Sequence, residues 1–147
     1  MNFRELAKKR CSSRKYQSTL VEQEKIDYIL EAARMSPSAV NFQPWLFLTI
    51  TEEESRRRRV DCYPKEWMKP ATFFLVICGD HSQSWKRPAD QKDHLDVDAG
   101  ILAEQICLAA TEQELATCII CHFDTGLLKK NFTLPESVEP IVIIPIA

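Results

Sequence analysis

Glycine is scarce in this 147-residue chain, which contains only Gly79, Gly100 and Gly126. The dinucleotide-binding fingerprint and the P-loop each need several closely spaced glycines, so that backbone N–H groups can approach a phosphate. These three glycines are too far apart for either loop. The sequence therefore excludes the common glycine-rich nucleotide sites, and side chains must hold any phosphate that binds.

The chain also lacks a strong charge imbalance and a long apolar run. Its 19 Lys and Arg residues against 21 Asp and Glu give a net charge of −2, which gives no reason to expect a nucleic acid or an anionic membrane as partner. No apolar run approaches the ~20 residues that span a bilayer, and the first ten residues lack the apolar core of a signal peptide. We therefore expect a cytoplasmic protein folded as one domain over residues 1–147.

Six cysteines are present, and in a reducing compartment cysteines are more often small buried residues than disulfides. The run from Cys118 to His122 reads Cys-Ile-Ile-Cys-His, which is the haem c attachment pattern and also contains three residues that can bind zinc, Cys118, Cys121 and His122. A strand is the preferred interpretation of this apolar run. Its alternation would point Cys118 and Cys121 to opposite faces, so we predict two reduced thiols that hold neither metal nor haem.

Hydrophobic periodicity predicts five helices and four strands. The helices are expected at residues 2–10, 22–35, 52–60, 95–115 and 125–131, and the strands at 44–51, 71–78, 117–123 and 138–146. Asn2 and Asp124 are expected helix caps. The continuous apolar run at 71–78 predicts a strand buried on both faces, and Pro140 and Pro145 place the last strand at a sheet edge or near its own ends.

A run of four arginines, Arg56 to Arg59, follows three glutamates, Glu52 to Glu54. The spacing of four residues favours ion pairs along a solvated helix over a nucleic-acid patch. His81 and His94 lie in polar segments, where we expect solvated side chains rather than metal ligands.

Two polar segments can carry chemistry. Arg10, Ser12 and Arg14 place two guanidiniums and a hydroxyl within five residues, a donor set that suits phosphate oxygens; the alternative is a solvated basic loop. The segment from Ser36 to Trp45 contains two prolines, small residues and Asn41, whose amide can both donate and accept toward a heteroaromatic edge. The alternative there is an ordinary helix–strand loop.

Together these segments resemble the FMN-dependent nitroreductase family. The likeness is carried by Arg-x-Ser-x-Arg at 10–14 and Ser-Pro-Ser-Ala-x-Asn-x-Gln-Pro-Trp at 36–45, and it continues through Asp96-Val97-Asp98-Ala99 and Leu134-Pro135-Glu136 over essentially the whole chain. The resemblance implies a three-layer α+β fold, with a mainly antiparallel central sheet flanked by helices. It also implies a homodimer with FMN at the interface.

The resemblance further implies which residues meet the cofactor. Arg10, Ser12 and Arg14 would hold the FMN phosphate, Cys11 would contribute its backbone, Pro37, Ser38, Ala39 and Asn41 would line the isoalloxazine, and the backbone around Cys121 and His122 would approach flavin N5 and O4. NAD(P)H would give a hydride to N5, and a small electron-poor acceptor such as a nitroaromatic or a quinone would then take the electrons. No catalytic side chain is expected, because the flavin carries the chemistry.

The sequence departs from the family pattern at three places. Glu114-Leu115-Ala116-Thr117 stands where the family reads Gly-Leu-Gly-Thr, His122 stands where a small residue is usual, and the family's C-terminal tail is not present after Ala147. The alternative function is therefore a flavin-binding module with little or no turnover.

Overall fold

A computed structural model describes all residues from 1 to 147. Five helices and three strands form in the order α1, α2, β1, α3, β2, α4, α5, β3. Their bounds are α1 Phe3–Lys9, α2 Gln23–Arg34, β1 Trp45–Ile50, α3 Glu53–Val60, β2 Phe73–Asp80, α4 Leu95–Glu112, α5 Thr125–Asn131 and β3 Val138–Ile146. Single 3₁₀ turns cover Ala39–Asn41 and Glu66–Met68.

The sheet has the order β1-β2-β3, and both of its strand pairs are antiparallel. Successive residues of the central strand β2 point to opposite faces. Phe73, Leu75 and Ile77 join an apolar cluster with α2 and α4. Phe74 and Val76 join a second cluster on the other face. Helices thus cover both faces of an antiparallel sheet, which confirms the three-layer α+β expectation and the double-sided burial of this strand.

The predicted strand at 117–123 is wrong as a regular strand. Ile120 exchanges two backbone hydrogen bonds of 3.0 and 2.9 Å with Ile143, and Ala116 exchanges two with Ala147. In the same register, the hydrogen-bonded pair that lies between Ala116–Ala147 and Ile120–Ile143 would join Cys118 to Pro145. Because Pro145 has no N–H, that bond cannot form, and only isolated bridges remain. The same proline confirms β3 as an edge strand of the regular sheet.

Local caps fix several of the helix ends that the sequence predicts. Asn2 and Glu5 form a reciprocal capping box at α1, and the Asp124 carboxylate accepts the Leu127 N–H at 2.9 Å. The helix expected to reach residue 115 ends at Glu112, where Glu114 adopts a left-handed φ of 62°. None of the five helices combines the length and the apolar content that crossing a membrane requires.

Candidate functional site

The segment that carries Arg10, Ser12 and Arg14 leaves α1 and runs beside Thr117. The Ser13 N–H donates to the Thr117 carbonyl at 2.8 Å, and the Tyr16 hydroxyl donates to the Ser13 carbonyl at the same distance. These backbone contacts fix the path of the segment while Ser12 and Arg14 keep exposed side chains.

The three predicted phosphate ligands lie along one segment beside Thr117, where Ser12 forms an isolated parallel bridge with Thr117, the neighbour of Cys118 in the chain. Burial raises the pKa of Cys118, whereas the charges of Arg14 and Arg10 and a hydrogen bond from Ser12 oppose that shift. Arg10 Nε also lies 3.1 Å from Glu104 Oε1 of α4, which fixes the direction of this guanidinium. Two cations and an exposed hydroxyl thus lie within five residues on this segment, a donor set that suits an oxyanion.

Cys11 and Cys121 expose their thiols, whereas Cys118 is buried. The Cys11 sulfur lies 3.6 Å from Ser13 Oγ. Cys121 and the exposed His122 follow directly after Ile120, which the paired hydrogen bonds to Ile143 hold in place. The thiols of Cys118 and Cys121 thus face different surroundings, as the predicted alternation requires, although the segment is only partly bridged to β3.

A cavity of about 400 Å³ lies beside Cys121. Its wall is formed by the first turns of α4, the segment at Ile119 and Cys121, and the start of β3. The residues that line it include Asp96, Ala99, Gly100, Ile119, Cys121 and Glu139. A planar ring of moderate size can therefore approach the backbone at Cys121.

The loop of residues 36–44 contains the predicted isoalloxazine ligands Pro37, Ser38, Ala39 and Asn41. Three of its non-glycine residues are left-handed, with φ values of 55° at Val40, 53° at Asn41 and 50° at Gln43. Two hydrogen bonds hold this shape: the Ala39 N–H donates to Asp98 Oδ1 at 2.8 Å, and the Gln43 N–H donates to Ser38 Oγ at 2.9 Å. The Pro37 and Asn41 side chains remain exposed.

Helix α4 separates the two predicted halves of the site within one chain. The loop 36–44 contacts α4 through Asp98, on the side where α2 also packs through the Gln105–Ala32 hydrogen bond of 3.4 Å. The cavity beside Cys121 is walled instead by Gly100. Asp98 and Gly100 are two positions apart, and residues at this spacing in an α-helix point about 200° away from each other around the helix axis. No hydrogen bond or ion pair joins the loop 36–44 to Arg10, Ser12, Arg14 or Cys121.

Sequence reasoning missed a charged cluster at one rim of the cavity. His81 Nδ1 lies 2.8 Å from Asp93 Oδ2, and His81 Nε2 contacts the Glu139 carboxylate. Hydrogen bonds that the His81 ring donates to Asp93 and Glu139 raise the pKa of His81. Partial burial works to raise the pKa of Asp93, but the hydrogen bonds from His81 and the Leu95 N–H outweigh it and lower that pKa to about 2. The three residues are far apart in sequence, so no local pattern of residues predicts the cluster.

The run of four arginines is only partly the solvated helix that the sequence suggests. The pairs Arg57–Glu53 and Arg58–Glu54 form at 2.6 and 2.7 Å, as predicted. Arg59 is different, because its side chain is buried over the Phe74 ring. The helix turns this one guanidinium toward the core, since a residue must face inward on every turn.

The overall fold matches the folds of known proteins. A nitroreductase family protein from Clostridium difficile 630 is 37% identical, with a TM-score of 0.94 over all of this chain and 84% of its own. An FMN-dependent nitroreductase from Clostridium difficile R20291 is 26% identical, with a TM-score of 0.81 over 97% of this chain and 84% of its own.

A protein of Methanothermobacter thermautotrophicus named "Putative NADH dehydrogenase/NAD(P)H nitroreductase" is 32% identical over 99% of this chain and 76% of its own length. Residues 7–62 and 57–147 match the Nitroreductase family. The two matches together span nearly the whole chain and both polar segments of the candidate site. The chain therefore belongs to the nitroreductase family.

Proposed function

We propose that this chain is an FMN-dependent oxidoreductase that passes electrons from NAD(P)H to a small electron-poor acceptor such as a nitroaromatic or a quinone. The observation that carries the proposal is that Arg10, Ser12 and Arg14 lie on one segment that backbone contacts hold beside Thr117, in a chain without a glycine-rich phosphate loop. Relatives named as NAD(P)H nitroreductases and as FMN reductase support the same chemistry.

The residues present fit an FMN molecule. Arg14 has no acidic partner, Ser12 is exposed, and Arg10 is held in direction by Glu104, so the three can bind a phosphate dianion through charge-assisted hydrogen bonds. The backbone of Cys11 would add to this group. Pro37, Ser38, Ala39 and Asn41 would line the isoalloxazine. When bound, FMN would supply hydride acceptance and electron return.

The chain's own contribution is binding and orientation. Backbone N–H groups near Cys121 and His122 would donate to flavin N5 and O4, where a fixed donor stabilises charge that develops during reduction. The cavity beside Cys121 would admit the planar ring. The exposed His122 side chain would limit the size of an acceptor on that side. No acid–base pair is assigned, because none of these steps needs a proton held by a side chain.

A homodimer completes this site. The loop 36–44 lies on a different side of α4 from the cavity at Gly100 and has no hydrogen bond to Arg10, Ser12 or Arg14, so in the proposed dimer the loop of one subunit would complete the site of the other. The surface has the character of an interface, because Val40, Phe42, Val97 and Ile101 are exposed apolar residues. Covering such residues is a general driving force for association.

Mixed dimers test the shared site directly. Arg14→Ala and Asn41→Ala should each weaken FMN binding in a homodimer, because every site then carries one defect. Unfolding and refolding the two variants together forms heterodimers in which one site carries both defects and the other carries none. Recovery of about one quarter of the wild-type FMN sites is expected, from the statistics of random pairing. No recovery, with heterodimers present by mass spectrometry, would place each site within one subunit.

Turnover separates the proposed enzyme from the alternative, a flavin-binding module. Purified protein should be yellow and should oxidise NADH or NADPH when a nitroaromatic or a quinone is added. A yellow protein without turnover would support the flavin-binding module, and a colourless protein that does not take up added FMN would contradict both. We place the protein in the cytoplasm, where exposed thiols such as Cys11 and Cys121 stay reduced.

A further inference from the structure

We propose that Asp98 is a positioning residue that holds the loop 36–44 in its flavin-binding shape; this inference rests on the proposed function. Asp98 is 1% exposed and lies in the first turns of α4. Its Oδ1 accepts the Ala39 N–H at 2.8 Å across a separation of 59 residues. This is the hydrogen bond that ties the loop to the helix layer beneath it.

The loop needs such an anchor because its backbone is strained. Val40, Asn41 and Gln43 all carry φ values near 50–55°, a region that L-residues other than glycine and asparagine enter at a cost. Val40 is also β-branched, which makes the conformation still less favourable. Strained backbone of this kind persists only when the surrounding structure holds it. Without the Ala39 contact, the loop would relax toward other conformations.

A carboxylate is well suited to this position because two helix starts meet there. Asp98 lies near the N-terminus of α4, and Ala39 is the first residue of the 3₁₀ turn. Unpaired N–H groups at helix starts favour a negative side chain. Ser38, which precedes the turn, makes no cap bond to it and instead accepts the Gln43 N–H. Asp98 thus supplies from α4 the cap that the turn lacks locally.

The carboxylate makes no other side-chain hydrogen bond in the chain. Asp98 Oδ2 is buried without a hydrogen-bond partner, and no basic residue pairs with Asp98. A buried carboxylate bonded only to a loop amide is costly unless that bond serves the fold or the site. The loop that it fixes carries Asn41, the residue proposed to meet the flavin edge. Asp98 would therefore act on flavin affinity through Asn41, without touching the flavin.

How much flavin binding weakens depends on the fraction of molecules in which the loop holds its binding shape. If only a fraction of the protein holds the loop in its binding shape, the apparent Kd rises by the inverse of that fraction. If the loop 36–44 of Asp98→Ala is ordered one tenth of the time, the Kd of this variant should rise by about tenfold. The loss should be the same for FMN and for riboflavin, because the loop meets the ring, which both ligands share.

The test compares both ligands across three variants by fluorescence titration. Asp98→Ala should weaken FMN and riboflavin equally, whereas Asp98→Asn keeps an acceptor at the same place, removes only the charge, and should lose clearly less affinity. Thr72→Val is the matched control, since Thr72 is also buried and its hydroxyl also bonds the backbone of a distant loop, donating to the Thr19 carbonyl at 2.8 Å. That control should lose stability and leave both affinities unchanged.

Several outcomes would overturn the positioning role. An Asp98→Ala variant that binds both flavins as the wild type does, or that loses FMN alone, contradicts it. If Asp98→Ala does not fold, hydrogen exchange in wild type decides, because a bonded Ala39 amide must be protected and an unprotected one refutes the anchor. A wild-type protein that binds neither flavin would instead contradict the proposed function.

Discussion

The guanidinium carbon of Arg59 lies 3.9 Å from the centroid of the Phe74 ring, and Nε and Nη1 of this arginine have no hydrogen-bond partner in the protein. Burial lowers the pKa of Arg59 to about 10. Arg59 is thus a cation within an apolar cluster, and its contact with the face of the Phe74 ring is the main interaction that offsets its lost hydration. A buried cation of this kind works against stability, since it has lost water without gaining an acidic partner.

Replacing Arg59 with Met should therefore stabilise the protein. Two unpaired buried donors cost about 1–3 kcal/mol each, and a desolvated cation–π contact returns about 2 kcal/mol. The expected net gain in the free energy of unfolding is about 2 kcal/mol, the middle of a range of about 0–4 kcal/mol. Urea unfolding measures it. Arg57→Met, which breaks only the exposed pair with Glu53, should change stability by less than about 1 kcal/mol. A less stable Arg59→Met variant would show that the aromatic contact outweighs desolvation.

Glu114→Gly should also stabilise the chain. Glu114 follows the end of α4 with a φ of 62°, and the Leu115 N–H closes the helix end on the Ala110 carbonyl at 2.9 Å. Glycine is the usual residue at this position because it has no Cβ to crowd the left-handed backbone. A gain of about 0.5–1 kcal/mol is expected. Asp27→Gly, in the interior of α2, should instead lower the free energy of unfolding by about the same amount. If both substitutions change the free energy of unfolding in the same direction, the explanation is contradicted.

The His81 cluster predicts a pH dependence of stability. Asp93 and Glu139 raise the pKa of His81 in the folded protein, so folding favours its protonated form. The stabilisation is fully present below the unfolded pKa, about 6.5, and is lost as the pH rises through the higher folded value. The effect should be about 0.5 kcal/mol, because solvent screens a side chain that is 46% exposed.

Unfolding measured between pH 5 and 9 in wild type and in His81→Gln checks this expectation. The difference in stability between the two proteins should shrink as the pH rises. Glu139→Gln should halve the effect, since it removes one of the two carboxylates. A difference that grows with pH would contradict the assigned direction.

Arg14→Ala should weaken FMN binding by about one to two decades, which corresponds to about 1.5–3 kcal/mol for one charge-assisted contact. Riboflavin binding should hardly change, because riboflavin lacks the phosphate. Fluorescence quenching of each flavin measures both constants. Lys15→Ala is the neighbouring control, since it removes an exposed cation that the proposal does not place on the phosphate. Unchanged FMN affinity in Arg14→Ala would remove Arg14 from the phosphate site.

Cys121→Ser should retain most of the FMN affinity and activity, because the proposed contact comes from the backbone. The thiol is exposed, so stability should change by less than about 0.5 kcal/mol. Cys118→Ser, which buries a hydroxyl among apolar side chains, should cost about 1–3 kcal/mol. Loss of FMN binding in Cys121→Ser, or a covalent haem adduct on its peptide by mass spectrometry, would show that the sulfur is used.

Local sequence signals predicted most of the secondary structure. The capping residues Asn2 and Asp124, the apolar run of β2 and the edge role of Pro145 each act over a few residues, so their effects can be read from the sequence. The residues at 117–123 favour a strand by their own composition. Whether this segment pairs depends on β3, the strand opposite it, where Pro145 lacks the N–H that a continuous ladder needs.

The sequence by itself determined the family, the two polar segments and the donor chemistry of Arg10, Ser12 and Arg14. Only the tertiary structure decided that the segment with these three residues runs beside Thr117, that α4 holds the loop 36–44 on a different side from the cavity, and that the Ala39 N–H donates to Asp98. The single-domain organisation and the site assignments stay predictions. The physical reason for the division is range: caps and periodicity act between neighbours, whereas burial, convergence and charge pairing act between residues that only folding brings together.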